Sequence, residues 1–219
     1  MSDAVLEGIN AEKVALWFAA HIPGVNPPLE YQLIAGGHSN LTYRVEDQDQ
    51  NTYVLRRPPL GHVLATAHDM AREHRIISAV GHTEVPVPPT LGLCEDHEVN
   101  GVPFYVMEYV DGEVLHSDLE SNLVSAPERM ELSREVVEVL AELHSIEPDD
   151  IGLGELAKRE DYLGRQLRRW SGQWEQSKTR ELAAMEEVQE LLERQKPRQI
   201  GSTIVHGDYR LGNMLTRSG

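Results

Sequence analysis

Asp208, Arg210 and Asn213 lie within Val205-His206-Gly207-Asp208-Tyr209-Arg210-Leu211-Gly212-Asn213-Met214-Leu215, a polar run set between apolar residues. A carboxylate, a cation two residues on and an amide five residues on supply the parts that phosphoryl transfer needs. The Asp takes or orients the proton of an acceptor hydroxyl, the cation neutralises transferring phosphate oxygens, and the Asn amide oxygen is a hard ligand for magnesium. The same residue types also build ordinary loops, because Asp and Asn are turn formers and Gly207 and Gly212 are turn glycines. The phosphoryl-transfer reading therefore requires further parts: a cover for the phosphates, a cation for the α- and β-phosphates and an acid to hold that cation.

The candidate cover is Ile34-Ala35-Gly36-Gly37-His38-Ser39-Asn40-Leu41-Thr42-Tyr43. Gly36 and Gly37 allow backbone N–H groups to approach phosphate oxygens, and Ser39 adds a hydroxyl donor. A purely structural hairpin remains the alternative for a Gly-Gly pair alone, and His38 is expected to face solvent. Arg56 ends the run Tyr53-Val54-Leu55-Arg56, where alternation sends it to one face of the strand and Arg57 to the other. Glu73, in the helix that follows, is its candidate acidic partner; a plain surface ion pair is the competing reading.

The elements that must position these groups follow from periodicity. Residues 10–21 predict a helix carrying Val14, Leu16, Trp17 and Phe18, ended by Pro23, Pro27 and Pro28. Residues 31–34, 41–45 and 52–56 read as an antiparallel meander with turns at Gly36-Gly37 and at 47–51. A second helix is expected to start at Thr66, with Asp69 three residues on and apolar Met70, Ile76, Ile77 and Val80, and to stop at Gly81. Two strands, 90–94 and 102–109, are joined by a loop ending in the turn dipeptide Asn100-Gly101.

After Asp111-Gly112 the pattern turns helical. Ser125-Ala126-Pro127-Glu128 is a capping-box start, and Leu132, Val136, Val137, Leu140 and Leu143 form a stripe expected to be the core of a second lobe. Residues 161–176 and 180–195 predict two peripheral helices, and Met214-Leu215 opens a hairpin turning at 217–219. The fold class is α+β. Residues 1–110 are expected to form an N-terminal nucleotide-binding lobe, and 111–219 a partial helical lobe with the catalytic loop.

Composition narrows the partners. The chain of 219 residues is 40% hydrophobic, enough for a real core, and has a net charge of −16. That charge is spread evenly, with 14 acidic and 6 basic groups up to residue 110 and 22 and 14 beyond it. Such a balance argues against nucleic-acid binding, which relies on Lys and Arg. The lone Cys94 makes no internal disulfide and belongs to no thiolate metal cluster. Asp3 and Glu7 occupy positions where a signal peptide would be basic, and nowhere do 18 apolar residues run together, so the expectation is a cytoplasmic chain without a membrane segment. Asn40-Leu41-Thr42 matches a glycosylation acceptor, which without export is accidental.

The glycine loop, the strand Arg56, Glu73, the run Phe104-Tyr105-Val106-Met107-Glu108-Tyr109-Val110-Asp111-Gly112 and His206-Gly207-Asp208 with Asn213 together resemble the aminoglycoside phosphotransferase family, relatives of protein kinases. The resemblance spans nearly the whole chain. Within that family, Gly37-His38-Ser39-Asn40-Leu41-Thr42, Leu55-Arg56-Arg57-Pro58-Pro59 and His206-Gly207-Asp208-Tyr209-Arg210 look most similar to kinase-like domains fused to, or encoded near, acyl-CoA dehydrogenases. The resemblance implies a protein-kinase-like two-lobed fold, with a small antiparallel-sheet lobe and a mainly helical lobe incomplete in this chain. It implies ATP and Mg2+ as cofactors and a functional association with an acyl-CoA dehydrogenase.

Residue by residue, it implies Asp208 as catalytic base or hydroxyl-orienting group, Arg210 at the γ-phosphate and Asn213 as a magnesium ligand. Gly36, Gly37 and Ser39 would cover the phosphates. Arg56, where the family usually has Lys, would contact the α/β phosphates with Glu73 as its ion-pair partner; an Arg keeps the charge and changes the geometry. Glu108 and Val110 would offer backbone groups to adenine, Met107 would line the nucleotide pocket, and His206 would support the loop. The family's second metal-binding Asp has no counterpart here. The expectation is a fragment of a longer product, with a truncated gene product of compromised chemistry as the alternative.

Two functions are carried forward. One is an ATP-dependent phosphotransferase acting on a small-molecule hydroxyl, a hydroxyacyl-CoA among the candidate acceptors. The other is a nucleotide-binding or scaffold module without catalysis, a pseudokinase or inactive fragment. Arg165, Arg168 and Arg169 beside Trp170 and Trp174 form either a face for an anionic acceptor such as a CoA thioester or a solvated basic face with its tryptophans set on a core.

Overall fold

The structure is a computed structural model, and it describes residues 8–35, 40–61, 68–115 and 124–217. Two compact units divide the chain: Met1–Leu143 with His206–Gly219, and His144–Val205.

The first unit is built on one antiparallel sheet. Its strands are β1 (Glu30–Ala35), β2 (Leu41–Glu46), β3 (Thr52–Arg57), β4 (Thr90–Cys94) and β5 (Phe104–Glu108), in the order β1-β2-β3-β5-β4. Side-chain alternation gives the sheet two apolar faces. Leu41, Tyr43, Val45, Tyr53, Leu55, Cys94, Phe104 and Val106 gather on Val14, Trp17 and Phe18 of helix α1 (Ala11–His21). Val54, Tyr105 and Met107 face the other way, onto Met70 and Ile77 of helix α2 (Met70–Val80). Consecutive residues of β5 therefore serve different cores. Arg57 follows the same rule as expected: it is buried, and donates to Pro58 O and Gly8 O.

Local signals decide where elements begin. Asp69 caps α2, its side chain accepting from Arg72 N at 2.9 Å, while the expected start at Thr66 lies outside the described residues. The Asn100-Gly101 pair closes a one-turn helix, α3 (His97–Asn100), where a hairpin loop was expected. Gly101 takes the left-handed conformation, φ +75°, that ends helices as readily as it makes turns, and Asp96 caps the other end.

Helix α4 (Ala126–Ser145) starts at a reciprocal capping box, with Ser125 N donating to Glu128 Oε2 at 2.9 Å and Glu128 N to Ser125 Oγ at 3.5 Å. Its apolar stripe is not the closed core expected from its period: Leu143 is buried, Leu132, Val136 and Leu140 are half-buried, and Val137 is 65% exposed. Periodicity marks which face is apolar, whereas burial also needs a neighbour opposite it.

The end of the motif pairs with a distant segment. Thr216 and Glu113 exchange both backbone hydrogen bonds at 2.8 Å, and Thr216 Oγ1 donates to Glu113 O at 3.0 Å. The backbone approach is close here: a Cβ on Gly112 would lie 3.1 Å from Thr216 O, tight enough to need a small shift of that segment. Residues 218 and 219 of the expected 217–219 turn lie outside the described residues.

The second unit carries helices α5 (Tyr162–Ser177) and α6 (Ala183–Gln195). Asp161 binds Arg168 and Lys196 at 2.9 and 3.3 Å, and Arg159 pairs with Glu147 and Asp149. Trp170 is 62% exposed with the Arg169 guanidinium 5.9 Å from its ring, so this tryptophan is not set on a core.

Candidate active site

β3 places Arg56 opposite Thr42 of β2 and Tyr105 of β5. α2 brings Glu73 to it: Arg56 Nε lies 3.2 Å from Glu73 Oε2, an ion-pair distance whose alignment falls short of a hydrogen bond. Glu73 Oε2 also accepts from the Tyr105 hydroxyl at 3.3 Å, and Glu73 Oε1 accepts from Asn40 Nδ2 at 2.6 Å. Burial pushes the Tyr105 phenol well above the ordinary tyrosine range, so it stays protonated and donates to the carboxylate. Met107, two residues along β5, is buried on the same face.

At the end of β5, Glu108 N donates to Pro89 O at 2.8 Å. That donor is spent, so a ligand at Glu108 would meet its carbonyl. Val110 N–H has no hydrogen-bond partner among the described residues. Gly36, Gly37, His38 and Ser39 lie outside the described residues.

The loop after residue 205 is organised by its own side chains. Gly207 turns the backbone at φ +84°, and Asp208 N donates to His206 Nδ1 at 3.3 Å. Tyr209 anchors the loop to α4 by donating to Val136 O at 2.7 Å, and its ring meets His206 edge-on. Asn213, held in a short 3₁₀ turn, donates Nδ2 to Asp208 Oδ2 at 2.7 Å and to Asp208 O at 2.9 Å. With both amide protons committed to Asp208, its Oδ1 is the atom left for a cation. Arg210 Nε stands 3.3 Å from Asp208 Oδ1.

The Asn213 hydrogen bond, with Arg210 and His206 adding to it, holds the Asp208 carboxyl below the usual aspartate range despite some desolvation. An Asn213→Ala variant should therefore raise the Asp208 titration midpoint, observed by carboxyl NMR; an unchanged midpoint would mean that the bond is absent in solution. Among the described residues no three His, Cys, Asp or Glu side chains form a ready cation site. The donor set around Asn213 fits magnesium only as one amide oxygen, with phosphate oxygens and water filling the rest of the ion's oxygen shell.

Sequence reasoning paired Arg56 with Glu73 and Asp208 with Asn213, and each pair is together. It missed Tyr105, Asn40, His68 and Tyr209. Tyr105 was accessible through strand register, as the cross-strand neighbour of Arg56 on the same face. Asn40 was read as a formal glycosylation acceptor, but its side chain is buried and committed to Glu73.

A sheet arginine held by a helix glutamate, in one unit with an Asp-x-Arg-x-x-Asn loop, defines the kinase-like class of α+β phosphotransferases. The chain belongs to the Phosphotransferase enzyme family, whose model matches residues 30–219. It is 36% identical over 188 residues to acyl-CoA dehydrogenase family member 10 of Mus musculus, covering 86% of this chain and 17% of that protein. It is 34% identical over 180 residues to family member 11 of Homo sapiens, covering 82% of this chain and 23% of that protein. The chain thus spans about a fifth of the length of these relatives. Among solved structures, a Ralstonia eutropha protein named as a candidate aminoglycoside phosphotransferase superposes with a TM-score of 0.79 at 35% identity, over 94% of this chain and 60% of that one. A type I macrolide 2'-phosphotransferase shares the fold at 16% identity and a TM-score of 0.61, over 94% of this chain and 66% of that one. No helix among the described residues is long and apolar enough to cross a membrane.

Proposed function

We propose that the protein transfers the γ-phosphate of ATP to a hydroxyl group of a small molecule, and that the acceptor belongs to the hydroxyacyl-CoA class. The observation that carries the reading is the Asp208–Asn213 pair, a carboxylate kept ionised by an amide whose oxygen is left for a cation. Asp208 would orient the acceptor hydroxyl and take its proton, and Arg210 would lie against the γ-phosphate oxygens. Arg56, held by Glu73, would present its terminal nitrogens to the α/β phosphates. Its planar fork suits two oxygens at once better than an ammonium does.

Adenine would meet the Glu108 carbonyl and the Val110 N–H, an acceptor and a donor on one edge, over Met107. Gly36, Gly37 and Ser39 would cover the phosphates. Magnesium, held by Asn213 Oδ1 and phosphate oxygens, supplies charge neutralisation when bound. The acceptor class is supported by relatives named as acyl-CoA dehydrogenases, and functional association with such a dehydrogenase and a cytoplasmic setting belong to the same proposal.

Thermal stability in a titration with magnesium and ATP tests the nucleotide half. Ligand at 100 times its dissociation constant adds about 2.7 kcal/mol. Transfer of labelled γ-phosphate is then scored across hydroxyacyl-CoAs, amino alcohols, sugars and aminoglycosides. Stabilisation with transfer to a hydroxyacyl-CoA is the expected result. Stabilisation without transfer to any acceptor identifies a binding module, and no stabilisation ends the reading.

A further inference from the structure

Asn40 stands where three segments meet. It is the residue before β2, directly after the glycine segment; its amide reaches α2, and its carbonyl reaches the residue before the α2 cap. Asn40 Nδ2 donates to Glu73 Oε1 at 2.6 Å, and Asn40 Oδ1 lies 2.6 Å from His68 Nδ1. The side chain is 7% exposed, so each of these contacts replaces water that has been removed.

Charge fixes the orientation of the amide. A carboxylate accepts only, so the NH2 group must face Glu73 and the carbonyl must face His68, which obliges His68 Nδ1 to carry a proton. Glu73 then has Oε1 saturated by Asn40, while Oε2 faces Tyr105 and Arg56 Nε. The ion pair meets Arg56 at Nε, and the two terminal nitrogens of Arg56 have no hydrogen-bond partner among the described residues.

We propose that Asn40, oriented by His68, is a positioning residue: it locks the rotamer of Glu73, and through Glu73 the direction of the Arg56 fork. Because Asn40 directly precedes β2, the same hydrogen bond links the start of β2 to α2. The proposal rests on the nucleotide reading above for its consequence, while the lock itself is a property of the free protein.

The test has two arms. In the free protein, ¹⁵N NMR should find His68 protonated at Nδ1 and the Arg56 Nε–H ordered, and Asn40→Ala should abolish both features. Arg56 Nε–H order unchanged in Asn40→Ala overturns the lock whether or not nucleotide binds. In the second arm, Asn40→Ala should raise the ATP KM about ten-fold, the worth of one hydrogen bond to a charged group, with the acceptor KM unchanged. In an Arg56→Ala background the Asn40 effect should disappear, because its route is gone; additive effects overturn the proposal. His68→Ala, at a half-buried position, is the variant to use if Asn40→Ala folds poorly, with the same Arg56 Nε–H readout and a smaller rise in KM expected. If the unaltered protein binds no ATP, the nucleotide reading fails and the first arm alone decides the lock.

Discussion

Asp208→Ala is expected to lower the turnover number for phosphoryl transfer by about 10² to 10⁴, the range found when a positioned acid or base is removed. The affinity for ATP should stay within a few-fold, because the adenine and α/β-phosphate contacts proposed above come from the sheet and α2. Folding stability should change little, since the Asp208 side chain is exposed and its removal opens no cavity. Asp208→Asn adds a check on charge. It keeps the shape and can still meet Asn213 after an amide rotation, yet it cannot take a proton, so its turnover should fall as far as that of the alanine variant. A fall of less than ten-fold in both would remove Asp208 from the chemistry and leave the loop a structural turn.

The parts of this site were legible to different depths for physical reasons. Strand alternation is a strict period of two, so placing Arg56 and Arg57 on opposite faces required only the run Tyr53-Val54-Leu55 before them. Asp208 and Asn213 are close in sequence, and a short loop must bring them near each other. The Asn40–His68–Glu73 contacts are different: they join residues 28 and 33 positions apart, and no local pattern encodes which polar group of one segment meets another. The pairing of Glu113 with Thr216 is longer still, and its one sequence trace is Gly112, a residue read as a boundary that proves to be a point of close backbone approach. The stripe of α4 errs in the opposite sense, since its period was read correctly and its burial was not.

Phe104→Ala should cost about 3–5 kcal/mol of unfolding free energy, the range for deleting a large buried aromatic side chain. Phe104 is fully buried, and the Trp17 ring meets it edge-on at 5.0 Å while Val106, Cys94 and Leu55 share its cluster. Collapse around the deletion is resisted on both sides: the β5 backbone is paired to β3 and β4, and Trp17 is fixed by its stack on His21 at 4.7 Å. The loss should appear as a lower denaturant midpoint at unchanged slope. The folded fraction should retain its ATP affinity, because Phe104 and Tyr105, though adjacent, face opposite sides of the sheet and Glu73 is on the Tyr105 side. A loss below about 1 kcal/mol would show that α1 does not close on the sheet as described. Loss of ATP affinity in step with stability would show that the two faces are not independent, and that the Arg56 side depends on the α1 core for its geometry.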